Sequence, residues 1–379
     1  MTLFGRKKIK EKSLKHAPQD GRRRSSKQEA APEKAPEADM DMLPRLVKDL
    51  ATADETCGDK PARALRMLFS LSEHKDNRTD MVSGSDLVPE LLSFLKRCER
   101  GSSEQYLALL VLNNISIARE NKRVIALDCG GAQLLSRLLC LDPSCHLMAI
   151  ILVNLTFADV DLRKELVSPQ IELVESLCFA LRVASFTQEE YDVRHPLTVA
   201  DENAQYKPSH LLAAIMEEDM RLRPALSELD YNRYFGHEPL IDPAHYLYPE
   251  TARWCLSALK HLSRPSTKDA ANILVKTGIM NLIMRFISVP STDTENEGEF
   301  TNAPTGWQSN SMQDAALFVV MNLAATKASR DYIRELDGVH LLTCITDYNK
   351  RVRREMTDSD EQRQLEFQRL KAVSHYATI

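Results

Sequence analysis

Residues 107–139, LALLVLNNISIARENKRVIALDCGGAQLLSRLL, decide how the rest of the chain is read. With Asn114 as the zero point, Leu109, Leu112 and Ile115 stand five and two residues before it and one after. Three- and four-residue spacings place side chains on one face of a helix. The same frame recurs around Ser70 (Leu65, Leu68, Leu71), Asn154 (Ala149, Leu152, Leu155), His261 (Leu256, Leu259, Leu262) and Asn322 (Leu317, Val320, Leu323). After each zero point come polar residues, then a short apolar stretch, a Gly and a second apolar run: Ile125, Gly130, Gly131, Leu134, Leu135, Leu138 and Leu139 in the clearest copy. Val275, Gly278, Ile279, Leu282, Ile283 and Phe286 repeat it, as do Ile333, Gly338, Val339, Leu341, Leu342 and Ile345. The glycine reads as the left-handed end of one helix before the next begins.

Each unit is therefore expected to run helix, Gly turn, helix, polar turn, helix. From 70 to 114 to 154 the zero points keep the roughly 40 to 47 residue period of a three-helix solenoid unit. The wider steps from 154 to 261 and from 261 to 322 must then hold insertions. The predicted fold is all-α, a right-handed alpha-alpha superhelix of about five units with two inserted loops.

The endings LNNIS, LVNLT and VMNLA, each followed by a Gly-separated pair of apolar helices, resemble the armadillo repeat and its third-helix ending. The resemblance covers most of residues 43–350. In that family the third helices line a concave groove, and their Asn can bond the main chain of an extended peptide. Asn114, Asn154 and Asn322, with His261 at the same place, would by resemblance form such a peptide-binding groove. An amide carries both donor and acceptor, so it suits any peptide backbone. The alternative is that each Asn satisfies backbone groups near a helix end. Importin-alpha-type proteins place Trp four residues before the Asn, where Leu110, Ile150, Ser257 and Phe318 stand in this chain. A groove apolar toward its ends suits an amphipathic helix or apolar peptide, or is covered by the inserted loop itself. Trp254 either shares that face or is buried between helices.

The net charge of −5 hides an asymmetry: residues 1–27 hold ten Lys or Arg against Glu11 and Asp20. Residues 1–41, with RKKIKEK, GRRRSSK and an Ala, Pro and Glu stretch, are expected to be a disordered basic tail. Its basic clusters read either as a two-part import signal or as a solvated tail, and Ser25 and Ser26 follow arginines as in a basophilic kinase site. The tail is also the place for any nucleic-acid contact. The solenoid is expected over 42–350, interrupted at 185–248, where tyrosines crowd and a helix is plausible at 209–220, and at 291–310, which is polar. Both interruptions fall between a second and a third helix, so both should emerge along one edge. Residues 351–379, including Arg351, Arg353 and Arg354, read as a charged C-terminal helix or tail.

Eight cysteines form no CxxC pair, and most lie in apolar runs, which suggests buried, reduced thiols. No apolar run reaches the length of a membrane span, and no secretory segment opens the chain, so a cytoplasmic or nuclear protein is expected. The prolines in HEPLIDPAH (237–245) break the helical spacing a zinc motif needs, and Cys140, Cys145 and His146 lack a fourth ligand. With no phosphate loop, nucleophile elbow or carboxylate pair, neither catalysis nor a cofactor is expected. The expected function is a scaffold or adaptor that binds a protein segment; the alternative is a nuclear transport receptor or carrier.

Overall fold

The computed structural model describes residues 39–52, 59–186, 246–287, 307–336, 338–340 and 342–343. The basic tail with Ser25 and Ser26, most of both interruptions, the 209–220 helix, HEPLIDPAH and the charged C-terminal stretch lie outside the described residues.

All regular elements among the described residues are helical. A short 3-10 turn leads into α1 (Leu43–Ala51). Third helices follow at the zero points: α2 (Lys60–Glu73), α5 (Ser103–Ser116), α8 (His146–Thr156), α11 (Pro249–Leu262) and α14 (Trp307–Leu323). Each is succeeded by a first helix, namely α3 (Asn77–Ser83), α6 (Asn121–Arg123), α9 (Val160–Leu166), α12 (Lys268–Lys276) and α15 (Lys327–Glu335). Second helices are α4 (Leu87–Arg97), α7 (Gly131–Leu141), α10 (Leu173–Ala184) and α13 (Met280–Arg285).

Every apolar residue of the five frames is buried, none more than 2% exposed. Such burial contributes roughly 1.5 to 3 kcal/mol per large aliphatic side chain. The third helices pack in series, α2 on α5, α5 on α8, α8 on α11 and α11 on α14, while α7 packs on α10 behind them. One core runs from Leu43 to Ile333.

The turns follow from local chemistry. Ser102 caps α5 by accepting from Gln105 N–H at 3.1 Å, and the Gln105 side chain accepts from Gly101 N–H at 2.8 Å. After α6 the chain makes a π turn, Val124–Asp128, and reverses at Gly130, whose φ of 71° is left-handed. The next residue must also be glycine, because a Cβ on Gly131 would lie 2.4 Å from Ile125 O. Gly278 is left-handed too, as expected. In the third unit, however, that conformation falls to Glu172 at φ 53°. Gly338 is required for a different reason than a left-handed turn: a Cβ there would meet Ile333 Cγ2 at 2.5 Å and Ile333 O at 2.7 Å.

The longer interruption leaves and rejoins the core at one place. Leu247 N–H donates to Phe186 O at 2.9 Å and Tyr248 N–H to Ala184 O at 3.1 Å, so the end of α10 and the start of α11 are pinned together.

Candidate functional site

Because the third helices stack side by side, residues at the same place in successive frames share one face. The amides at the zero points use that stacking. Asn114 Nδ2 donates to Ser72 Oγ at 3.0 Å, Asn154 Nδ2 to Ser116 Oγ at 3.0 Å, and Asn322 Nδ2 to Ser263 Oγ at 3.1 Å. Each acceptor lies two residues after the zero point of the preceding unit. Asn154 donates a second time, to Asn113 Oδ1 at 3.1 Å. The serines in turn donate to backbone carbonyls of their own helix: Ser72 to Phe69 O at 2.7 Å, Ser116 to Asn113 O at 2.7 Å and Ser263 to Lys260 O at 3.2 Å. These amides thus link neighbouring units. Helix-end carbonyls are served by other residues: Asn77 Nδ2 donates to Leu71 O, Asn121 Nδ2 to Ile115 O, and Arg78 Nε to Ser72 O.

Four residues before the zero points, Leu110, Ile150, Ser257 and Phe318 are all half-buried, on the same face. Trp254 is half-buried as well, with the Arg253 guanidinium 4.1 Å from its ring centre. Lys260 Nζ lies 4.9 Å from the centre of the Phe318 ring. Three residues after the zero points, Ile117 is 49% and Phe157 63% exposed. An apolar shelf therefore flanks the row of amides.

At the junction of α8 and α11 the row is interrupted. His261 makes no bond to Thr156, the residue that corresponds to Ser72, Ser116 and Ser263; Thr156 Oγ1 donates to Val153 O at 3.0 Å. Instead the imidazole meets Phe157 edge-on, with ring centres 5.2 Å apart. Arg264, Lys260, Arg163 and Lys122 all act electrostatically on that imidazole. Lys122, reaching from α6 and only 6% exposed, donates to Asn154 O and Phe157 O, both at 2.6 Å, and lies 5.3 Å from the Phe157 ring centre. Burial lowers its pKa. Arg163, from α9 and also 6% exposed, donates through Nη1 to Ala158 O. Its Nε is buried with no hydrogen-bond partner, as is Nε of Arg264. Among the described residues no carboxylate forms an ion pair with Lys122, Arg163, Lys260 or Arg264. Asp159, which attracts Arg163, is exposed and committed to capping α9 through Leu162 N–H at 2.9 Å. Burial, then Arg264, Lys260, Arg163 and Lys122, push the His261 pKa down to about 4. The ring is neutral at physiological pH.

The frame located the amides and the residues four before them. It did not disclose the serines two residues on, although Ser72, Ser116, Thr156 and Ser263 repeat with the same period. The cation cluster was missed altogether.

Cys140, Cys178 and Cys255 are buried, and Cys98, Cys129 and Cys145 are half-buried thiols. Burial pushes Cys140 up to about 12 and raises Cys178 and Cys255 strongly, so these thiols are poor nucleophiles and metal ligands. Cys57 and Cys344 lie outside the described residues. Among the described residues no group of three His, Cys, Asp or Glu gathers as a metal site, and no single helix is long and apolar enough to cross a membrane.

No family model matches the chain, and no curated protein matches it. Solved structures do. A computationally designed armadillo repeat protein for modular peptide recognition aligns with a TM-score of 0.51 and 12% identity, over 88% of this chain and 99% of that one. Another designed armadillo repeat protein aligns at 0.49 and 12% identity, over 88% and 99%, and an engineered protein at 0.49 and 18%, over 88% and 97%. Together with the three-helix units, the first of these alignments establishes an armadillo-like, all-α superhelical solenoid; identities this low speak to fold alone.

Proposed function

We propose that the chain is a non-enzymatic scaffold or adaptor whose row of third helices binds an extended segment of another protein. The observation that carries this is the continuous face from α5 through α8, α11 and α14. Along it half-exposed Leu110, Ile150 and Phe318 and exposed Ile117 and Phe157 recur at the repeat spacing. Apolar positions at a fixed interval suit successive side chains of an elongated ligand. Support also comes from the designed armadillo repeat protein of similar fold, which was made for modular peptide recognition. The gathering of Lys122, Arg163, Lys260 and Arg264 weighs against a lysine-rich import signal as the ligand, because like charges repel across a partly desolvated surface.

The test is selection of linear peptides from a random display library on the full chain, followed by anisotropy titration with Leu110→Glu and Ile150→Glu. Both positions are half-exposed, so both variants should keep the fold by circular dichroism. Selected peptides should lose at least tenfold in affinity. Equal affinity for wild type and both variants would remove this face from consideration.

A further inference from the structure

We infer that the junction of α8 and α11 is an oxyanion subsite, formed by Arg163, Arg264 and Lys122 around His261, which receives a carboxylate or phosphate group carried by the bound segment. For the carrier of that group the inference rests on the function proposed above; for its chemistry it does not.

Three observations meet at this place. First, buried guanidinium groups are ordinarily fully hydrogen-bonded, since a buried polar N–H without an acceptor is costly. Here two arginines, buried Arg163 on helix α9 and half-buried Arg264 in the turn after α11, each keep a buried Nε without a partner. Second, the like charges lie close enough to act on one another and on His261, and among the described residues no acid pairs with them. Third, the row of inter-unit amides stops at this junction alone among the four between successive third helices: His261 replaces Asn and turns its ring to Phe157. Guanidinium and ammonium groups placed near one another at a partly desolvated junction match the acceptors of a planar carboxylate or a phosphate. Beside them exposed Phe157 offers an apolar neighbour. The segment recognised would thus carry an acidic or phosphorylated residue next to an apolar one.

The site is tested on the full chain without any peptide. Thermal unfolding is followed in sodium chloride and, at matched ionic strength, in millimolar inorganic phosphate or malonate. Wild type should gain about 2 to 4 °C with an oxyanion that fills the site. Arg264→Gln removes no hydrogen bond among the described residues, and Arg163→Gln removes the one to Ala158 O. Arg264→Gln should unfold at the same temperature as wild type or higher in chloride, because repulsion is relieved, and both variants should lose the oxyanion response. A response to phosphate but not malonate assigns a phosphoryl group; a response to both assigns carboxylates as well. No response in wild type, or an undiminished response in both variants, overturns the subsite. Neither result touches the apolar face, which Leu110→Glu and Ile150→Glu test separately.

Discussion

The junction between α5 and α8 and the junction between α8 and α11 are built from the same helices of the same repeat, yet they are held in different ways. In the first, Asn154 gives both amide protons to the preceding unit, at Asn113 and Ser116, and the polar groups are matched. In the second, a histidine stands in the amide's place, cations crowd round it, and two buried nitrogens go without acceptors. Each regular junction spends its polar groups on cohesion. The irregular one leaves two buried N–H groups unmatched, and native proteins tolerate such arrangements where they serve a purpose. Lys122 belongs to both: its position follows the zero point of the second unit by eight residues, as Arg78 follows Ser70, but it reaches forward to the end of α8.

The largest expected effect comes from that residue. Lys122→Met removes two charge-assisted bonds to Asn154 O and Phe157 O and should cost about 2 to 3 kcal/mol in urea unfolding. A cost below about 0.5 kcal/mol would mean that the end of α8 does not depend on its neighbour. Next, Asn154→Ala should cost about 1 to 2 kcal/mol, whereas His261→Asn, which offers Thr156 a donor, should gain up to about 1 kcal/mol. If His261→Asn destabilises, the two junctions differ by more than one side chain. The third effect is pH-dependent. In the unfolded chain His261 takes up its proton near 6.5, but in the folded chain only near 4, so stability is whole above pH 6.5 and is lost as pH falls from 6.5 through 4. Discounted for its partly exposed ring, the loss is on the order of 1 kcal/mol, and His261→Gln should flatten that part of the profile. The smallest effect is Glu172→Gly at the start of α10, where the left-handed conformation would suit glycine: a gain of about 0.5 to 1 kcal/mol in the same assay.

The helical units were legible because burial imposes a period, and fifteen apolar positions at one spacing outweigh local noise. Pro and a change in polarity mark the bounds of α1 and α11 in the sequence. The turn after α9 was less legible: Glu172 bears a strain that sequence alone assigns to Gly. Asn114, Asn154 and Asn322 were found, but the direction of their bonds was not, because a donor on one unit and its acceptor on another lie about forty residues apart. Arg163, Arg264 and Lys122 stand in three separate polar stretches of the sequence, where charge ordinarily means solvent. A signal existed even so: Arg78, Lys122, Arg163 and Arg330 fall eight or nine residues after a zero point, and Arg330 donates to Ala324 O as Arg78 does to Ser72 O.

The bond from Leu247 to Phe186 has a wider meaning. With the two ends of the intervening stretch fixed to each other, the free energy of closing it grows only with the logarithm of its length, by roughly 0.6 kcal/mol for each doubling. The stacked helices are therefore nearly indifferent to the length of what is spliced in there. At that point the spine closes on itself, and lengthening the chain between its two pinned ends costs it little.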